Sequence, residues 1–214
     1  MAEAMRRSWA NIPQFVQTMH FNAAGLQRAR ERAREMGQRL TYTDLIVAVA
    51  ARVIPEHPLV NAEYRPDGVR TFRHVNLAIA IETPAGLVTP IVHRAETLAL
   101  SATAERIRDL ASRARDGGLT PADFDSATIS LSNLGMFGVE WGTPLINPPQ
   151  SAVIFVGAMT ERLTLVEGHV VAVPEIALSI AYDHRVVDGA TGARFTAALA
   201  GALADPDERL RAAQ

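Results

Sequence analysis

The sequence predicts an α/β (α+β) two-layer sandwich around a mixed sheet, built as one domain over residues 1–214. Three observations carry this. Segments with helical apolar spacing and segments with a two-residue period both occur, and they do not alternate strictly as in a purely parallel fold. No internal repeat, low-complexity tract or linker-like stretch divides them. A hydrophobic content of 48% over 214 residues is enough for one sizeable core.

In chain order, residues 2–10 read as a helix stopped near Ile12-Pro13, and Phe15–Asn22 alternates apolar and polar positions like a half-buried strand. A charged helix follows over 23–36 and ends at Gly37. Thr41 and Asp44 have capping-box spacing and introduce an apolar helix over 43–54 that Pro55 terminates. Residues 61–64, 75–81 and 87–92 read as strands, with a Pro66-Asp67-Gly68 turn. Ile107, Leu110, Ala111 and Ala114 form one stripe of a helix over 101–116. Thr120-Pro121 starts a short helix. Strands are predicted over 127–131, 152–157 and 176–182, with a hairpin joining 163–166 to 170–173 through Glu167-Gly168. A last helix covers 189–204.

Composition removes several chemistries. The chain has no Cys and no Lys, so all 21 of its Lys+Arg residues are Arg. A cysteine nucleophile, a thiolate metal site, a Schiff-base lysine and a P-loop lysine are therefore excluded. The net charge of −2, with both signs mixed throughout, argues against nucleic acid. There is no apolar run of membrane-spanning length and no secretory signal pattern, so a cytoplasmic protein without a membrane partner is expected. The six His show no metal-ligand spacing, and no metal is expected.

Two segments hold the candidate chemistry. In Tyr182-Asp-His-Arg-Val-Val-Asp-Gly189 an apolar strand ends in a polar loop, and a helix follows at once. His184 there can project into a cleft from a rigid backbone. Asp188 sits at the N-cap position, with Gly189 relieving crowding beside it. A satisfied structural His beside a helix cap is the competing reading. In Thr128–Gly138, strand residues pass into a Gly-punctuated loop carrying Ser130, Ser132 and Asn133, which by itself reads equally as a turn. Gly135 and Gly138 make no dinucleotide fingerprint.

Together these segments resemble a family. His184-Arg-Val-Val-Asp188-Gly189 is similar to the active-site signature of dihydrolipoamide acyltransferases, the acyltransferase subunits of 2-oxo acid dehydrogenase complexes. Ser132-Asn-Leu-Gly-Met-Phe-Gly138 with Ile146-Asn-Pro-Pro-Gln150 resembles the second signature. Ser8–Pro13, Gly86–Val92 and Leu110–Arg115 match in the same order. The resemblance covers essentially the whole chain as one catalytic domain, with neither a lipoyl domain nor a peripheral subunit-binding domain. The His-x-x-x-Asp-Gly element alone is shared with chloramphenicol acetyltransferase and with peptide-synthetase condensation domains.

The resemblance implies a chloramphenicol acetyltransferase-like fold assembled as a homotrimer, with larger cubic or dodecahedral cores known in the family. It implies that acyl-CoA is a substrate, that His184 is the general base and that Ser132 donates to the oxyanion. Asp188 is the acid that holds the loop, through an arginine. Asn133, Gly135, Asn147 and Pro148 are the implied coenzyme A contacts, and Met136, Phe137 and Trp141 are pocket or core candidates. The basic stretch that precedes Ala2–Trp9 in the family is missing, which leaves the arginine partner of Asp188 open.

Two acceptors fit the resemblance: a dihydrolipoyl thiol, or, in a free-standing natural-product enzyme, a small-molecule hydroxyl (tetronate-like) or a carrier-protein thiol. A catalytically dead scaffold is the reading from another class.

Overall fold

The computed structural model describes residues 2–211. The chain opens with α1 (Ala2–Asn11), β1 (Gln14–Asn22), α2 (Ala24–Glu35) and α3 (Tyr42–Val53). Six short strands follow: β2 (Ala62–Arg65), β3 (Gly68–Thr71), β4 (Leu77–Ile79), β5 (Ile81–Thr83), β6 (Gly86–Val88) and β7 (Ile91–Val92). After α4 (Leu100–Arg115) come β8 (Ile129–Asn133), β9 (Ala152–Val166) and β10 (His169–Asp183), then α5 (Gly189–Ala204) and α6 (Asp207–Arg211).

Six strands form the main sheet in the order β1-β10-β9-β8-β4-β7. β8 runs parallel to both neighbours and the other pairs are antiparallel, so the sheet is mixed as predicted. Two separate hairpins, β2–β3 and β5–β6, flank it.

The strands' two-residue period divides the sheet's faces. Leu77, Ile79, Ile129, Leu131, Ile154, Val156, Leu178 and Ile180 are buried in the main core. The helices cover that side: α5 lies against β1 and β10, α2 against β10, and α3 packs among α2, α4 and α5. α3 is buried nearly all round, as its unbroken apolar run requires, and Thr41 and Asp44 close its predicted capping box. The opposite face carries smaller and more polar residues, among them Ser130, Ser132, Val153 and Ala181. Loops cover it, and α1 docks there through Ser8, whose buried hydroxyl donates to the Ile146 carbonyl at 2.5 Å.

Six predicted strands divide or merge. Residues 75–81 split into β4 and β5, because beyond Ile79 the chain leaves the main sheet for the flanking hairpin. Residues 87–92 split at Pro90, which has no N–H to donate; its carbonyl instead accepts from Ile79 N at 2.9 Å. The segments 152–157, 163–166, 170–173 and 176–182 fuse into two 15-residue strands joined at Glu167-Gly168. Pro174 is tolerated in β10 because it lies just past Glu175, the last residue that β1 pairs with. The strand predicted at 127–131 starts two residues later, at Ile129.

Candidate active site

His184 follows the last residue of β10. Its backbone is fixed from both sides: His184 N donates to the Pro13 carbonyl at 2.9 Å, and Asp183 N donates to the Ser151 carbonyl at 2.8 Å. Val186 N and Val187 N both donate to the Asp183 carbonyl, which closes the turn. The imidazole is exposed and packs on Phe15, with ring centroids 4.8 Å apart. Phe15 in turn touches the buried Tyr182 ring, so an aromatic stack backs the imidazole.

Charge supports the same turn. Asp183 is 2% exposed and takes a forked ion pair from Arg185, Nη2 to Oδ2 at 2.6 Å and Nε to Oδ1 at 2.9 Å. The Arg185 guanidinium stacks over the Tyr64 ring at 4.3 Å, and the bond to Asp183 raises its pKa further. Tyr64 lies in the β2–β3 hairpin, and no sequence signal connected it with His184. Beside the turn is a cleft of about 480 Å³, bordered by Arg7, Asn11, Tyr64, Pro148 and Arg185.

Asp188 is the N-cap of α5, accepting from Thr191 N at 2.7 Å. That bond holds its carboxyl below the usual carboxylate range. The expected arginine ion pair of Asp188 is not made within one chain, among the described residues. Gly189 relieves no crowding, since a Cβ there would meet no atom within 4 Å. Its carbonyl accepts from Gln17 Nε2 at 2.8 Å.

Ser132 lies elsewhere, near the C-terminal end of β8. It shares a sheet face with Ser130, and both border a cavity of about 750 Å³. Asn147 borders this cavity too. The loop after β8 folds back over β9, with Leu134 N donating to the Val156 carbonyl and Ala158 N to the Val139 carbonyl. Gly135 and Gly157 permit the crossing, because a Cβ on Gly135 would stand 2.5 Å from the Gly157 carbonyl oxygen.

The four candidate coenzyme A contacts are scattered. Asn133 is engaged locally: its Nδ2 donates to Thr43 Oγ1 and its Oδ1 accepts from Gly135 N, both at 3.0 Å. Gly135 serves the loop crossing, Asn147 borders the Ser132 cavity and Pro148 borders the other cleft. Met136, Phe137 and Trp141 neither line the cavity nor join the core; they are 84%, 57% and 63% exposed. Among the described residues no group of three or more His, Asp or Glu could hold a metal ion, and no helix is long and apolar enough to cross a membrane.

One chain does not bring Ser132 and His184 together. Ser132 pairs across to Phe155 on β9, and Phe155 pairs to Ser179 on β10. Five further residues along β10 lead to His184, so at about 3.3 Å per residue and about 4.8 Å per strand the two lie roughly 19 Å apart.

Known proteins share this fold. The sequence matches the family described as 2-oxoacid dehydrogenases acyltransferase (catalytic domain) over residues 1–211. It is 34% identical over 203 residues to the dihydrolipoyllysine-residue acetyltransferase component of a mitochondrial pyruvate dehydrogenase complex from Schizosaccharomyces pombe. That match covers 92% of this chain and 42% of the relative, so the chain spans about two fifths of the relative's length. A dihydrolipoamide acetyltransferase from Azotobacter vinelandii superposes with a TM-score of 0.91 at 30% identity, covering 98% of this chain and 88% of that one. Its structure belongs to a study of one serine, one histidine and one asparagine in that enzyme's catalytic mechanism, the histidine 52 positions after the serine and the asparagine four after the histidine. Chloramphenicol acetyltransferase, at 17% identity and a TM-score of 0.61 over 94% of both chains, shares the fold alone. The chain belongs to the 2-oxoacid dehydrogenase acyltransferase family and forms its catalytic domain.

Proposed function

We propose that this chain catalyses coenzyme A-dependent acyl transfer, moving an acyl group between CoA and a dihydrolipoyl thiol. The observation that carries the reading is the pair Ser132 and His184, 52 positions apart, with Asp188 four beyond. The spacing equals that of the serine, histidine and asparagine studied in the Azotobacter enzyme.

The chemistry follows from the side chains. A thiol of pKa about 8.5 is mostly protonated near neutrality, so attack on a thioester needs a base. His184 is exposed on a fixed backbone and has no hydrogen-bonded acid among the described residues, so a ring nitrogen is free to take the thiol proton. The new thiolate attacks the thioester carbon, and the oxyanion that forms accepts a hydrogen bond from the Ser132 hydroxyl. Collapse expels the CoA thiolate, and the imidazolium returns its proton to that sulfur. With no Cys or Lys, the chain holds neither the acyl group nor a lipoyl group on such a side chain.

A separation of roughly 19 Å is too large for both groups to act on one carbonyl, so the working site pairs Ser132 of one subunit with His184 of the next. A homotrimer gives each subunit one such pair. The test is thiol release from acetyl-CoA with free dihydrolipoamide. His184→Ala is expected to lose about 10²–10⁴-fold in kcat, and unchanged turnover in that variant rules out the base assignment. Wild-type protein that ignores dihydrolipoamide but acylates a hydroxylated or carrier-bound acceptor transfers the reading to that acceptor.

A further inference from the structure

Among the described residues, no charged side chain borders the cavity at Ser132. Its floor is the loop-covered face of the sheet, where Val153 lies opposite Ser130 and Phe155 opposite Ser132. Its walls come from three separate segments, represented by Leu87 and Val88 of β6, Phe124, and Val139 with Leu145. The polar atoms present are neutral, and Ser130 already donates its proton to Gln150 Oε1 at 2.7 Å. Two charged groups that this face of the sheet carries are paired away from the cavity: Asp183 with Arg185 in the other cleft, and Glu175 with Arg162.

We propose that this cavity receives the carbon chain of the acyl group, and that it selects uncharged chains against those ending in a carboxylate. The inference rests on the acyl-transfer reading above. With Ser132 at the thioester oxygen, the carbons bonded to that carbonyl run along the apolar wall. A hydrocarbon tail there exchanges water for Leu, Val and Phe side chains. A terminal carboxylate on the same tail loses its hydration and meets no cation among the cavity's own lining residues, and burying an unpaired anion is far costlier than burying a neutral polar group. The volume, about 750 Å³, exceeds what an acetyl group needs, so discrimination comes from polarity before size.

Butyryl-CoA and succinyl-CoA have acyl chains of equal carbon number and differ in the terminal charge. With dihydrolipoamide as acceptor, kcat/KM for butyryl-CoA is expected to exceed that for succinyl-CoA by at least about 100-fold. A parallel binding measurement uses the unreactive thioethers S-butyl-CoA and S-(3-carboxypropyl)-CoA, with the neutral one expected to bind at least about tenfold tighter. Active enzyme with equal kcat/KM for the two thioesters overturns the inference and leaves acyl transfer standing. Protein that turns over neither these thioesters nor acetyl-CoA with dihydrolipoamide, yet binds the neutral thioether more tightly, removes the dihydrolipoyl acceptor and supports the cavity's selectivity. Equal affinity for the two thioethers overturns the selectivity in either case.

Discussion

The turn at His184 and the cavity at Ser132 are built on opposite plans. The turn is polar and held by short-range bonds: Asp183 carries the ion pair and the carbonyl that closes the loop, and Asp188 five residues on caps the next helix. The cavity is apolar and composed of residues from Met5 to Phe155, contributed by α1, one hairpin strand, a 3-10 turn, two central strands and a long loop. A group that must move a proton needs fixed orientation and water access. A group that must stabilise an oxyanion gains from dry surroundings, where a hydrogen bond is worth more. Splitting the two between distant parts of one chain lets each have its own environment and, on the proposed mechanism, makes function depend on assembly.

The largest effect expected from that division is complementation. His184→Ala and Ser132→Ala proteins are each crippled, but mixing and reassembling them should restore activity at about a quarter of sites, where a Ser132 from one variant meets a His184 from the other. No recovery would mean that both groups serve one chain's own site. Next, Ser132→Ala alone should cost about 10²–10³-fold in kcat with KM little changed. A rise in KM with kcat intact would reassign the hydroxyl to substrate binding.

A smaller effect tests the turn's support. Arg185→Met leaves Asp183 buried without its partner, and should lower stability by up to about 3 kcal/mol in thermal or urea unfolding. It should also depress kcat through the His184 backbone. If stability falls but kcat does not, the ion pair is structural only. The smallest effect concerns Asp188. Its folded carboxyl titrates below the unfolded value of about 3.9. Its contribution is therefore full above that value and is lost as pH falls through the lower folded one. Asp188→Asn keeps a capping acceptor without the charge, so activity should stay within a few-fold of wild type. The gap in melting temperature between the two proteins should narrow between about pH 5 and pH 3. A constant gap would show that the carboxylate's charge does not act through the cap.

The contrast between the two regions also decides what the sequence made legible. The turn could be read because its parts are contiguous: an apolar strand, His184, and an N-cap Asp188 ahead of a helix all lie within Ala181–Gly189. Even there Tyr64 was invisible, since its stacking on Arg185 joins positions far apart in the chain. Ser132 was legible as a resemblance, but its cavity was not, because no local pattern tells a wall residue from a core residue. Met136, Phe137 and Trp141 show this. The core reading fails for all three, which are exposed in the loop after β8. Periodicity recovered most helices and strands. It failed at Pro90, a real break, and at Pro174, which the hairpin absorbs.

That hairpin has a consequence for motion. From Gln14↔Asp183 to Asn22↔Glu175, β10 is gripped by β1 on one side and β9 on the other, but beyond Pro174 the ribbon has only its own two strands. Leu163, Leu165 and Val170 on it are 78%, 70% and 68% exposed. Two-stranded ribbons are marginal in water by themselves. The same pair of strands should therefore hold both extremes of amide hydrogen exchange: fast near the tip, and at its base, beside His184, as slow as global unfolding allows.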